Sequence, residues 1–318
     1  MARPRLSAPV PVVPDHPALP GRTPAALLSI ASNTVLILLK VVAGSITGSV
    51  AILTEAMHSA IDLVASIVAY FSVRKAEEPA DDSHRYGHEK VENLAAAIEG
   101  MLILVGSGVI AFEAIRRLVD HAPVEKLGFG IAVIAFSMVA NLAVSTFIAR
   151  RARETDSPAL EGDAAHLRTD AFTSGGVLIA LILVETTGAT WLDPAVALLV
   201  AAAIVTAGVR ILTRSTRALV DEALPPAEMD AIGEEIQAFG PRGVAAYHQL
   251  RTRRAGARRY VDLHVQFRAG TTLEDAHATA HALQDAIRGR LRGADVLIHL
   301  EPEDRVRPGT EIPPVSER

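Results

Sequence analysis

Two stretches of this sequence repeat one spacing of an imidazole and a carboxylate. Thr54-Glu55-Ala56-Met57-His58-Ser59-Ala60-Ile61-Asp62 holds His58 and Asp62. His166-Leu167-Arg168-Thr169-Asp170 holds His166 and Asp170. Residues four apart on a helix stack on one face, so each pair presents a nitrogen and an oxygen donor side by side. Two such helices facing each other supply four donors, and four N/O donors in tetrahedral array suit zinc. For a single pair, a salt bridge tying helices together is an equal alternative; two in one apolar region favour coordination of a divalent cation. A hydrolytic zinc site needs a general base beside an open metal position, and no His-Glu-x-x-His is present. No enzyme is expected.

The elements that carry these pairs are apolar. Half of the 318 residues are hydrophobic, and the mean hydropathy is +0.29. The 21% of charged residues cluster between apolar stretches and after Asp221. That pattern predicts a membrane domain followed by a water-exposed one. A spanning helix needs roughly 20 mainly apolar residues. Six stretches qualify, at about 25–47, 50–73, 94–115, 127–149, 164–183 and 191–212. The pairs fall on the second and fifth, the fifth being the least apolar. A carboxylate at mid-membrane costs about 2.5–3.5 kcal/mol on insertion scales, which a bound cation would offset. Asn33, Lys40, Glu55, Glu99, Glu113 and Asn141 are further polar residues inside these stretches. They are given no ligand role, although Glu55 is one turn from His58 and could orient it.

A ligating imidazole must be neutral, so metal and protons compete for it. A free histidine titrates near pH 6.5, which suggests metal/proton exchange by alternating access. Positive residues follow the second helix (Arg74, Lys75), the fourth (Arg150, Arg151, Arg153) and the sixth (Arg210, Arg214, Arg217). With six spans these ends share one side, and the positive-inside rule makes that side, and both termini, cytoplasmic. Arg116 and Arg117 oppose this and are outnumbered. Residues 1–24 are proline-rich without a long apolar core, so they read as a disordered arm rather than a signal peptide. The membrane domain is expected over 25–222, a C-terminal domain over 223–304 and a tail over 305–318.

The C-terminal domain reads as a helix (227–239), two strands (244–252 and 259–267) around a turn at 254–256, a helix (273–291) and a strand (294–300). The order αββαβ makes a small α+β domain, one helical layer on one sheet, of a metallochaperone-like or ferredoxin-like kind. At about 80 residues it is small for independent stability, so an oligomer or bound metal would help it. It carries His248, His264, His277, His281 and His299, with Glu301 two residues after the last. Five histidines exceed what packing needs. The chain has no cysteine, so any metal is held by His, Asp or Glu. A net charge of -5 and no basic run with interleaved aromatics exclude a nucleic-acid partner.

These features together resemble the cation diffusion facilitator family. The resemblance runs from about residue 25 to 303. It is carried by Gly48-Ser49-Val50-Ala51-Ile52 leading into His58 and Asp62, by Asp81-Asp82-Ser83-His84-Arg85-Tyr86-Gly87-His88-Glu89-Lys90, by His166 and Asp170, and by Leu250-Arg251-Thr252-Arg253. It implies a Y-shaped homodimer in a bacterial-type inner or cell membrane, each protomer exporting a divalent cation through its own bundle. It implies a second metal position at Asp81, His84 and His88, residues that could equally be a solvated loop. It implies a charge interlock between protomers from Lys90 and Asp221. It also implies a binuclear zinc cluster from His248, His264, His277, His299 and Glu301, leaving His281 as an ordinary surface histidine. Glu301 stands where the family often has Asp, which puts bridging by its longer arm in question. His58 stands where several bacterial zinc exchangers of the family have Asp. Two imidazoles and two carboxylates favour zinc over harder ions such as Mn²⁺. The expectation is zinc as the transported ion and as the ion bound in the C-terminal domain. Two alternatives stand beside it: Fe²⁺, Mn²⁺, Co²⁺ or Ni²⁺ as the main ion, and a membrane-anchored metal sensor that does not transport.

Overall fold

A computed structural model describes residues 22–47, 50–120, 130–305 and 312. The expected N-terminal arm, apart from its last residues, and the C-terminal tail, apart from Arg305 and Ile312, lie outside the described residues, as do Gly48 and Ser49. Two compact units divide the chain at Thr216 and Arg217.

The first unit is built from α1 (Arg22–Thr47), α2 (Val50–Ala76), α3 (Lys90–Asp120), α4 (Gly130–Thr155), α5 (Pro158–Thr187) and α6 (Leu192–Leu219), the last running just past the division. By length and composition α1, α3, α4, α5 and α6 can each cross a membrane. Many large apolar side chains, such as Val35, Leu38, Val105, Phe112 and Leu199, point outward. The buried positions include Ser29, Asn33, Lys40, Asp62, Glu92, Glu99, Asn141, Asp163 and His166. Polar groups inside and apolar groups outside are what a lipid solvent demands.

Several helices extend beyond the apolar stretches that predict them, because polar contacts hold their ends. α5 starts six residues earlier than expected. Ser157 caps it, its hydroxyl accepting from the Leu160 N–H at 3.3 Å, and Pro158 sits in the first turn. Gly188 closes it in a left-handed conformation. α1 starts at Arg22, three residues before the expected membrane domain. Buried Arg22 donates to Glu92 Oε1 at 2.8 Å and to the Thr155 carbonyl at 3.0 Å, while Ser157 also bonds Glu92. This knot ties α1, α3 and the α4–α5 junction. Arg22→Ala leaves Glu92 a buried charge without its cation, and such losses cost about 3–5 kcal/mol. Thermal unfolding in detergent should fall sharply for Arg22→Ala and recover in part for Arg22→Ala/Glu92→Gln. Equal melting of wild type and Arg22→Ala would show the knot to be dispensable.

The second unit follows the expected αββαβ order: α7 (Pro226–Ala238), β1 (Val244–Ala255), β2 (Arg258–Phe267), α8 (Leu273–Arg290) and β3 (Ala294–Pro302). The sheet order is β1-β2-β3, with β1 antiparallel and β3 parallel to β2. Strand alternation puts Val261, Leu263, Val265 and Phe267 of β2 into one core with Ile232 and Ile236 of α7 and Leu283 and Ile287 of α8. The intervening residues, His264 among them, therefore lie on the sheet's other face.

Candidate metal centres

In the membrane unit, Asp62 of α2 and His166 and Asp170 of α5 come together. One donor atom from each lies within 4.8 Å of the others. His166 Nε2 stands 3.1 Å from Asp62 Oδ1, and both residues are buried. The spacing of four puts His166 and Asp170 on one face of α5, and α5 packs on α2. Zinc bound at about 2.0–2.2 Å from each donor sets tetrahedral donors about 3.4 Å apart. The three need close by only about an ångström to reach that geometry. His58 and Glu55 belong to α2 by backbone, and their side chains lie outside the described residues. Lys40, also buried, donates to Ser59 at 2.7 Å. Glu113 pairs with Arg117 at 3.2 Å near the end of α3.

In the segment between α2 and α3, Asp81, His84 and His88 form a second group of the same tightness. Asp81 Oδ1 accepts from Ser83 Oγ and from the backbone N–H of Ser83 and His84, at 2.7, 2.8 and 2.6 Å. The Ser83 hydroxyl first, then the His84 N–H, holds this carboxyl well below the usual range. Gly87, at φ +90, makes the turn that brings His88 back toward His84, and its N–H bonds the His84 carbonyl at 2.9 Å. The His88 ring is buried and neither nitrogen makes a hydrogen bond among the described residues. Its Nε2 is nevertheless 3.2 Å from Asp81 Oδ2, close but not aligned as a hydrogen bond. A neutral His88 ring can therefore offer a nitrogen to a cation.

In the second unit the sheet register does the assembling. His248 pairs with His264 across β1 and β2, and His264 pairs with His299 across β2 and β3. Three imidazoles thus stand in one row, and Glu301 falls two residues further on the same face of β3. Glu301 accepts from His264 Nδ1 at 2.7 Å and His248 Nε2 at 2.8 Å, and His299 Nε2 lies 3.9 Å from it. His248, His264 and Glu301 form the third tight group. The longer glutamate arm therefore reaches two imidazoles at once. Beside His248 the strand bulges, with Gln249 at φ 50. His277 does not join this group. It lies on α8 with its Nε2 3.1 Å from that of His281, both exposed.

The His248 bond first, then that of His264, lowers the Glu301 pKa from 4.5 to about 2. A carboxyl with a lowered folded-state pKa stabilises the fold above its ordinary value and loses that effect as pH falls through the lowered one. Metal-free wild type should exceed Glu301→Gln in stability by about 1 kcal/mol at pH 5, allowing for partial solvent screening. The gap should close between pH 4.5 and 2. Denaturant unfolding of chelated protein at each pH measures it; a gap that widened on acidification would contradict the pairing.

The cation efflux transmembrane domain model matches residues 26–220, and the model of the cation efflux protein cytoplasmic domain matches residues 224–303. The chain belongs to the cation diffusion facilitator family of cation efflux transporters. An uncharacterized transporter of Synechocystis, sll1263, is 36% identical over 88% of this chain and 90% of its own. The cation-efflux pump FieF of Salmonella schwarzengrund is 32% identical over 87% of this chain and 92% of its own. A solved chain of CzrB in its Zn form is 34% identical over 27% of this chain and 98% of its own, at a TM-score of 0.24. The transporter is therefore a membrane protein of the efflux class and its family is not an enzyme family.

Residue types alone missed two features of the transporter. One is the network around Asp163, whose Oδ1 accepts from Ser29 at 2.9 Å and Ser66 at 3.0 Å, with Asn33 donating to Ser66 at 2.8 Å. The other is the buried Glu92. Both are acidic residues inside or beside apolar stretches, which was the available signal. Lys90 opens α3. Asp221 takes a left-handed φ of 61 and accepts from Arg253 at 3.4 Å.

Proposed function

We propose that the transporter exports zinc from the cytosol in exchange for protons, as a homodimer with both termini cytoplasmic. The convergence of Asp62, His166 and Asp170 on one buried point between α2 and α5 carries this reading. His58, one turn from Asp62 on α2, completes a site of two nitrogens and two oxygens, which suits zinc. Metal must displace protons from such donors, so the site itself couples the two flows. The Asp81/His84/His88 group and the His248/His264/Glu301 row, with His299 beside it, are further positions for zinc. His277, which lies outside that group in this chain, is a further candidate ligand. Lys90 and Asp221 serve as the interlock between protomers.

Reconstituted vesicles loaded with a pH-sensitive dye test the coupling. Zinc added outside should enter while the lumen turns alkaline, and collapsing the proton gradient should change the uptake rate. Zinc entry with no proton movement would remove the exchange mechanism. A competition series with Fe²⁺, Mn²⁺, Co²⁺ and Ni²⁺ in the same vesicles ranks the ions. No uptake of zinc or of any of these ions would favour the sensor reading instead.

A further inference from the structure

One turn from His166 along α5, toward its N-terminal end, lies a second pair of acidic groups. Glu99 of α3 and Asp163 of α5 are both fully buried. Neither Glu99 oxygen has a hydrogen-bond partner among the described residues, and neither does Asp163 Oδ2. Asp163 is close enough to Glu99 for the two carboxyls to repel each other if both are ionised. Serine hydroxyls hold the other Asp163 oxygen and leave Oδ2 free to bind.

The placement of Glu99 is not incidental to packing. Its carboxylate lies directly on Gly162, where any Cβ would collide with it and would meet the Ala96 Cα at 3.3 Å. Glycine there lets α3 approach α5 closely enough for the Glu99 head to reach the residue before Asp163. A buried carboxyl that stays ionised is paired or coordinates a metal, and otherwise it takes up a proton. An apolar surrounding gives a pair of anions strong reason to hold a cation and a neutral side chain none.

We propose that Glu99 and Asp163 form a second cation site in the membrane unit, a staging point for the divalent ion next to the His166 site. The inference rests on the transport reading, and on the proposed topology the pair lies between the cytosolic mouth and that site. Its donors are hard oxygens, so it binds less tightly and less selectively than the imidazole-containing site. A staging point has to release its ion onward, which suits weak binding.

Zinc alone is the probe, with full-length protein in lipid nanodiscs. On an Asp62→Asn/Asp170→Asn background, equilibrium dialysis counts zinc bound per protomer with and without Glu99→Gln. The expected result is that Glu99→Gln removes the weakest class of bound zinc. In the otherwise intact chain it should raise the KM for zinc uptake about tenfold or more, with kcat within about twofold. Glu99→Asp should retain the bound zinc. Should Glu99→Gln fail to fold, Asp163→Asn interrogates the same site from its other carboxylate. Unchanged zinc count and unchanged KM overturn the proposal. So does an unchanged count with only a shifted pH profile, which would mean that the pair holds a proton. Glu99-dependent binding in a wild type that moves no zinc would keep the site and refute the transport reading.

Discussion

Asp62→Ala and Asp170→Ala should each lower zinc uptake into reconstituted vesicles by at least about a hundredfold. Groups that only orient a metal ligand already cost about 10–100-fold when removed, and these two are proposed to contact the ion. The structure gives further reason. Asp62 and His166 are buried and 3.1 Å apart, so removing Asp62 strips the imidazole of its partner as well as the ion of a ligand. Asp170 lies one turn further along the face of α5 that carries His166, completing the same group. Neither substitution should unfold the protein, since the other aspartate stays beside His166 and a buried imidazole that loses a partner can shed its proton. Uptake and thermal unfolding measured on one preparation separate loss of the site from loss of the fold. Transport by both variants at the wild-type rate would place the ion elsewhere.

The grouping of Asp62 with His166 and Asp170 was legible in the sequence because its information is local. Two donors four residues apart on an apolar helix state their own geometry, and the αββαβ order followed from strand alternation and turn residues. What the sequence did not state is non-local. The contacts of Asp163 reach Ser29 and Ser66, 134 and 97 residues away. Nothing in the residues around Asp163 distinguishes a partnered acid from a lone one. Glu99 was visible as an anomaly in an apolar stretch, but its burial against Gly162 depends on how α3 and α5 pack. In the C-terminal unit the histidines were visible by type and their row was not. A register shift between His248 and Arg251 decides which residue faces His264, and periodicity alone does not locate a bulge. Arg22 failed as a helix start for a similar reason. Its partners, Glu92 and the Thr155 carbonyl, come from α3 and α4.

His58→Asp should change which ion the transporter prefers. Imidazole gives one nitrogen at a fixed reach, and in the proposed site it joins His166 and two aspartates in a four-donor set sized for zinc. A carboxylate offers two oxygens and can bind through both, raising the coordination number, as sites for larger cations do. Cadmium is the larger ion, so it gains more than zinc from a third carboxylate. The expected result is a rise in the cadmium-to-zinc ratio of kcat/KM of about tenfold, equivalent to roughly 1.4 kcal/mol between the two ions. The proton dependence should move with it. A carboxylate ordinarily titrates near pH 4, well below imidazole, so protons near neutral pH compete less well for the altered site. Zinc uptake by His58→Asp should then persist to lower pH on the metal-loading side than in wild type. The two readouts are independent, since selectivity reports donor geometry and the pH profile reports donor basicity. A variant whose selectivity and pH profile both match wild type would show that His58 is not a ligand, and the site would then rest on Asp62, His166 and Asp170 alone.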